Sequence, residues 1–417
     1  MRKTIPAPAA ILAATAMPGR RRAAARRAAR AVLLALVLAA GTANAEVLAR
    51  SDARTAMFRC NAAHDGVCAT RGVHDTPNPA HRVLWRFRTG QLNRSTPVIA
   101  EGTVYVGSND GNLYALDAAT GALRWFFHTA GALESSPAYA QGRVYFTGGD
   151  GDVYALDAAR GRRLWTFHAG PTRAARDPRW DFYQSSPVVA DGVVYVGSGD
   201  GHVYALDATN GTRRWAFETD GRVRASPALA GGVVYVGSMG GTLYALDAHD
   251  GRARWTFKTA GNADFPLGEI QSSAAVANGA VYFGSRDGSL YALDALTGAK
   301  RWSLVDRQGA WVISSPAVAG GIVYFGTSDS HLVRAVDAAS GAPKWTFDAR
   351  GRVFASPTVV GDRVYVGLCD AEAVWLDAHS GALVGYADSE GTIYASIAVQ
   401  DGVAYYASDD GYVYAVN

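Results

Sequence analysis

A segment of about 40 residues recurs down most of this chain, and no other feature restricts its fold as strongly. The stretches VYVGSNDGNLYALDAATGALRW (104–125), VYVGSGDGHVYALDATNGTRRW (194–215), VYVGSMGGTLYALDAHDGRARW (234–255) and VYFGSRDGSLYALDALTGAKRW (281–302) are copies of one unit. Its aspartate returns as Asp117, Asp157, Asp207, Asp247, Asp294, Asp337 and Asp377, and Asn417 holds the eighth register position. The spacings are 40, 50, 40, 47, 43, 40 and 40 residues.

Each unit reads as four short strands, A to D, typified by residues 185–190, 192–198, 202–208 and 213–219. Alternation such as Trp215/Phe217 has the period of a half-buried strand. Asp-Gly pairs (Asp110-Gly111, Asp200-Gly201, Asp287-Gly288) supply the positive φ of a tight B–C hairpin. A single four-stranded sheet cannot bury both faces, and ring closure covers faces and edges together. The expectation is an all-β, eight-bladed β-propeller. The chain ends in strand C of the last unit, and an orphan strand D at 83–89 precedes the first. That strand is expected to complete the last blade and close the ring.

The pattern A-x-D-x-x-T-G-x-x-x-W (Ala115, Asp117, Thr120, Gly121, Trp125) resembles the tryptophan-docking repeat of bacterial PQQ-repeat, or quinoprotein-like, propellers. The resemblance covers residues 83–417, and Met57-Phe58-Arg59 is similar to the lead-in of small periplasmic members. In size the chain is closest to the BamB-like periplasmic propellers. The family includes PQQ-dependent alcohol dehydrogenases and a non-catalytic subunit of the outer-membrane barrel-assembly machinery. By this pattern Trp85, Trp125, Trp165, Trp215, Trp255, Trp302 and Trp345 are wedges between blades, and Gly385 replaces the eighth. The repeated Asp and Gly are turn chemistry rather than catalytic acids.

The formal charge of +3 comes from the N-terminus. Residues 1–45 carry eight basic side chains and no acid, which leaves 32 basic against 37 acidic residues, a balance of −5. No Arg/Lys cluster beyond residue 45 suggests a phosphate-tracking surface, so nucleic acid is not an expected partner. Arg20–Arg30, the apolar run 31–40 and Ala43-Asn44-Ala45 read as the three regions of an export signal cleaved near Ala45. Met17 would start a leader of ordinary length. The ten-residue apolar run is too short to span a membrane. The expected organisation is a cleaved leader (1–45), an irregular extension (46–82) and the propeller (83–417), in the periplasm or secreted. Of three cysteines, Cys60 and Cys68 are the default bridge in an oxidising compartment, leaving Cys369 over, with the two other pairings open. No Cys follows the cleavage site, a departure from a lipid-anchored subunit.

Departures from the repeat mark the candidate site. Twenty inserted residues, relative to the 40-residue period, all fall in D–A or B–C connections, which share one end of an up-and-down sheet. Loops that vary on a fixed scaffold are where binding concentrates. Loop 169–184 carries Trp180 and Asp181, loop 259–271 carries Glu269, and loop 303–313 carries Trp311. Trp180 and Trp311 lie outside the wedge register, as does Trp375 inside a strand. Each loop tryptophan can offer a flat platform to a ligand or fold back on its own loop. The position three before the strand-A proline reads Arg94, Glu134, Gln184, Arg224, Gln271, Ile313, Phe354, Tyr394 around the ring. These are expected to rim the channel mouth, with a polar and an apolar side suited to an amphipathic ligand.

No catalytic or metal-binding residue is expected. The chain lacks a G-x-S-x-G elbow and a C-x-x-C-H haem site, and its cysteines are not adjacent. The preferred reading is an exported, monomeric binding or scaffold propeller without cofactor, whose partner is an envelope protein or peptide. The alternative, which the family resemblance implies, is a PQQ-dependent dehydrogenase using PQQ with Ca²⁺ to oxidise an alcohol or sugar.

Overall fold

Alternating residues in each repeat become a four-stranded antiparallel sheet, blade 1 being Val98–Ala100, Thr103–Gly107, Asn112–Asp117 and Leu123–His128. The computed structural model describes residues 55–70, 72, 81–172, 184–306 and 311–417. The expected leader, Trp180 and Asp181 lie outside the described residues. Eight such blades, numbered here in chain order with strands A (inner) to D (outer), form a β-propeller, and the described residues contain no helix. Blade 8 is completed by Val83–Arg88, which pairs with Tyr412–Val416 and joins the two ends of the propeller.

Strands B and C lie between neighbouring blades and are buried on both faces; Val104, Val106, Ala115 and Leu116 are fully covered. Strand D alternates, since one face meets the next blade and the other meets water. The buried apolar side chains of the described residues group into eight clusters, and each cluster combines side chains from two adjacent blades. Stability is therefore a property of seams, and no blade has a core of its own.

The tryptophans make the seams. Trp125 Nε1 donates to Ala158 O of the next blade at 3.0 Å, and its ring lies over Gly161, where a Cβ would come within 2.5 Å of it. Gly161 has φ +65°, so the C–D turn needs glycine both for its backbone and for its flatness. A β-bulge opposite each wedge tryptophan lets the strand turn it toward the neighbouring blade, as between Ala205 and Leu206 opposite Trp215. The closing seam uses the same contact, with Trp85 donating to Ala118 O at 3.0 Å.

Among the described residues, only the seam between blades 7 and 8 lacks a strand-D tryptophan, since Gly385 holds that position. Trp375 of strand C fills this place instead, 2% exposed and stacked on His81 with ring centroids 5.0 Å apart. His81 is held by its N–H bond to Tyr386 O at 2.8 Å.

Residues 55–70 run inside the ring. Thr55–Ala56 pairs with Ala138–Ala140, the inner strand of blade 2. The inner-strand amides of Leu229, Val276, Val318 and Val359 donate to the carbonyls of Ala62, Ala63, Asp65 and Gly66 at 2.6–2.9 Å. The segment thus satisfies edge donors of successive blades that an open channel would leave to water. It is tied by the Cys60–Cys68 disulfide and by Arg59, whose guanidinium donates to Pro316 O at 2.7 Å and to Pro357 O. These bonds lie toward the A–B turns, so the segment plugs the axial channel from that side.

Candidate binding face

Strand A of each blade starts at the D–A connection, and its leading residues bring the rim positions to the axis. Glu134, Gln184, Arg224, Gln271, Ile313, Phe354 and Tyr394 line one cavity of about 50 Å³, with Phe58 of the plug also in its wall. Arg94 joins this rim through its neighbours. Its guanidinium is 3.1 Å from Asp409 and 3.8 Å from Glu134, and lies 4.6 Å from the centre of the Tyr394 ring. Tyr394 in turn stacks on Phe354 at 5.5 Å. The polar and apolar halves of the rim are therefore joined through Arg94.

Burial pushes the Glu134 carboxyl up to about 7, although Asn109, Arg94 and Arg224 pull the other way. Asn109 Nδ2 donates to Glu134 Oε1 at 3.1 Å. Gln184 is latched to blade 2: its Oε1 accepts from the amides of Glu134 and Ser135, and its Nε2 donates to Ala132 O at 3.0 Å. Gln271 Oε1 accepts from Arg286 Nη2 at 2.7 Å.

Trp311 is half-buried and packs edge-to-face on Phe265 at 4.9 Å, with the Arg286 guanidinium 5.1 Å from its ring centre. Loop tryptophan and neighbouring loop thus brace each other, and Leu267 beside them stays 44% exposed. Glu269 is buried, 5% exposed, and belongs to this loop base rather than to the mouth. Cys369 stands near Tyr394, and burial pushes its thiol up to about 12.

A second cavity, about 290 Å³, opens between blades 2 and 3 and shares Glu134, Gln184 and Arg224 with the first. Its lining includes two glycines in B–C turns, Gly149 and Gly199, where blades 1, 4 and 5 carry Asn109, Met239 and Arg286. A Cβ at Gly199 would lie 2.7 Å from Thr172 Oγ1 and 3.1 Å from Arg224 Nη1.

Beneath the rim lies a second ring, built from the residues that lead into each strand A. Thr96, Ser136, Ser186 and Ser226, with Ser273, Ser315, Ser356 and Ser396, form a ring of eight hydroxyls around the axis. Seven of the eight amides at these positions donate to the hydroxyl of the next blade, as Ser136 N to Ser186 Oγ at 2.9 Å and Ser226 N to Ser273 Oγ at 2.9 Å. Ser396 N to Thr96 Oγ1 at 3.0 Å carries the cycle across the closing seam. In sequence the ring is a Ser-Pro or Thr-Pro pair in six blades, with Ser273-Ala274 and Ser396-Ile397 in the other two.

The opposite face is self-satisfied. Asp117 accepts from Arg124 at 2.7 Å and from the Thr120 hydroxyl at 2.9 Å, and Asp207–Arg214, Asp247–Arg254 and Asp294–Arg301 repeat the ion pair at 2.7–2.8 Å.

The model of the outer membrane protein assembly factor BamB family matches residues 73–179, 176–308 and 263–417. The chain belongs to that family. No curated protein matches it in sequence. BamB from Moraxella catarrhalis shares its fold with a TM-score of 0.64 at 20% identity, over 81% of this chain and 100% of that one. A europium-containing methanol dehydrogenase shares it at 0.69 and 16% identity, over 84% and 88% of the two chains. The computationally designed Ika8 protein does so at 0.67 and 17%, over 80% and 99%. At these identities the likeness is one of fold alone.

The described residues of this BamB-family chain bring together no group of three His, Cys, Asp or Glu side chains that could hold a metal ion. Two of the cysteines are bonded to each other in the plug, and Cys369 stands apart at the rim.

Proposed function

We propose that the chain is an exported, non-catalytic binding propeller that holds an envelope protein or peptide on the face carrying loops 169–184, 259–271 and 303–313. One observation carries this reading: the channel is plugged by residues 55–70 from the turn face, while its polar and apolar rim lies on the loop face. Membership of the BamB family supports a partner in the envelope. Arg94, Glu134, Gln184, Arg224, Gln271 and Tyr394 would contact the partner at the mouth. Trp311, and Trp180 with Asp181 in the long loop, would contact it at the periphery. Trp and Arg in half-buried, braced positions are the usual anchors of an interface. Export through a leader cleaved near Ala45 is part of the same proposal, and sequencing the mature N-terminus should begin at Glu46.

Pull-down from an envelope extract tests the binding. The full chain should capture a defined partner, and removal of loop 170–184 or Trp311→Ala should reduce capture at unchanged folding. Equal capture by all three proteins would sink the reading. A PQQ-dependent dehydrogenase is the second reading, supported by the methanol dehydrogenase that shares the fold. It predicts thermal stabilisation by micromolar PQQ with Ca²⁺, and alcohol or sugar oxidation with an artificial acceptor.

A further inference from the structure

The hydroxyl ring is built in a way that its role in the scaffold does not explain. Its eight members are 3–7% exposed, yet all face the axial cavity. A hydroxyl has one proton to donate and lone pairs to accept with. At seven of the eight positions, all but Ser396, the oxygen accepts the amide of the preceding blade at 2.9–3.1 Å. None of these hydroxyls donates to another group among the described residues. Each bond from an amide also strengthens the hydroxyl as a donor. The ring is therefore a convergence of buried donors.

We propose that this ring is a carboxylate socket, in which a C-terminal carboxylate or an Asp or Glu side chain of a partner polypeptide enters from the loop face. The proposal rests on the binding reading above and names the chemistry of the group held. A carboxylate is acceptor-only and can take several donors at once. Positive charge lies on both sides of the ring. Arg59 is 3% exposed and donates to the carbonyls of Pro316 and Pro357, the residues that follow ring members Ser315 and Ser356. Arg224 lines the same cavity at the rim. The carboxylates of the mouth, Glu134 and Asp409, both lie against Arg94, at 3.8 and 3.1 Å. A cation would meet the positive charge of Arg59 on one side of the ring and of Arg224 on the other. The cavity of about 50 Å³ suits a carboxylate head, and Phe58 limits how far it can enter.

Isothermal titration of the full mature chain tests this with four probes: N-acetyl-Gly-Gly with a free carboxylate, the same peptide amidated, N-acetyl-Glu-amide, and acetate. Both carboxylate peptides should bind at least about tenfold more tightly than the neutral amide, as charge-assisted hydrogen bonds require. Equal affinity of the amidated peptide, or no heat from any probe at millimolar concentration, overturns the socket. Acetate as tight as the peptides overturns the polypeptide assignment in favour of a free anion. Ser226→Ala with Ser315→Ala should weaken the carboxylate peptides about tenfold, and the paired Thr variants should restore them, since Thr96 already holds one ring position. Alanine variants that fold and bind as the wild type overturn it too. A partner captured by the loops without carboxylate preference in this titration removes the socket and leaves the binding reading. Carboxylate binding without partner capture removes the binding reading alone.

Discussion

Asp117 and Glu134 are both carboxylates beside an arginine, one on the turn face and one on the loop face, and their environments push them in opposite directions. Asp117 takes the Arg124 guanidinium at 2.7 Å and two bonds from Thr120, and these hold it at about 2. Glu134 has its arginine at 3.8 Å and only 8% of its side chain exposed, and burial lifts it to about 7. The turn face settles its charges within each blade and repeats the solution around the ring. The loop face has its polar groups gathered at the axis, partly desolvated. Such an arrangement costs stability, and it is what a binding mouth requires.

The comparison breaks first at the seams, which should dominate every surface effect. Trp215→Ala removes a buried wedge and its bond to Ala248 O at 3.0 Å, and should cost about 3–5 kcal/mol in denaturant unfolding. Trp375→Ala tests whether the blade 7–8 seam is equivalent, since its tryptophan comes from strand C and stacks on His81. A loss much below that of Trp215 would show that this seam is held chiefly by its other apolar side chains, such as Tyr365, Ile397 and Tyr406.

The plug gives the next largest effect, and it appears on acidification. His64 is 1% exposed, neither ring nitrogen has a partner, and it meets Phe58 edge-on at 5.5 Å. Burial, with Arg59 nearby, lowers it to about 3 from its ordinary 6.5. The unfolded chain takes up the proton near 6.5 and the folded one only near 3, so stability is lost as pH falls through that window. The full loss is on the order of a few kcal/mol. His64→Asn, which tolerates the φ of 53° at this position, should flatten the wild-type decline in Tm between these pH values.

Glu134 has the opposite sign. Its folded value of about 7 lies above the ordinary 4.5, so its contribution is complete below 4.5 and is lost as pH rises through 7. The loss approaches ~3 kcal/mol. Glu134→Gln resembles the protonated acid and should remove this decline, raising Tm at pH 8 relative to wild type. An unchanged pH profile would mean that water reaches the carboxylate and that the mouth is not desolvated.

These effects differ in how readily the sequence announced them. The ring, its eight blades and its closing strand could be read because every blade repeats its turn residues and its wedge. The rim positions could be read for the same reason, as a register that changes identity from unit to unit. Residues 55–70 could not, because a segment with positive φ at Arg59, Cys60 and His64 has no period to detect. Their bonds to blades 4 to 7 exist only once the ring is closed. The serine ring was hidden for the converse reason, since a residue repeated in every blade reads as scaffold. Trp375 was legible as an exception to the register, and its stacking on His81 depends on a strand joined from the other end of the chain.

The smallest predicted effect bears most directly on the contrast between faces. Asp117→Asn removes the Arg124 ion pair and weakens the hydrogen bonds from Thr120, at a group open to solvent. Exposed pairs of this kind contribute little because water and salt screen them. Asp117 is depressed from 3.8 to about 2, so its contribution is present above 3.8 and lost only as pH falls through 2. The variant should therefore show a drop in Tm smaller than that of any seam tryptophan, with a pH profile parallel to wild type from 5 to 8. The same experiment on Glu134 should change the shape of that profile. A Tm profile that bends near neutrality in Asp117→Asn, or stays parallel to wild type in Glu134→Gln, would mean that the two faces do not divide the charge of this ring as their geometry implies.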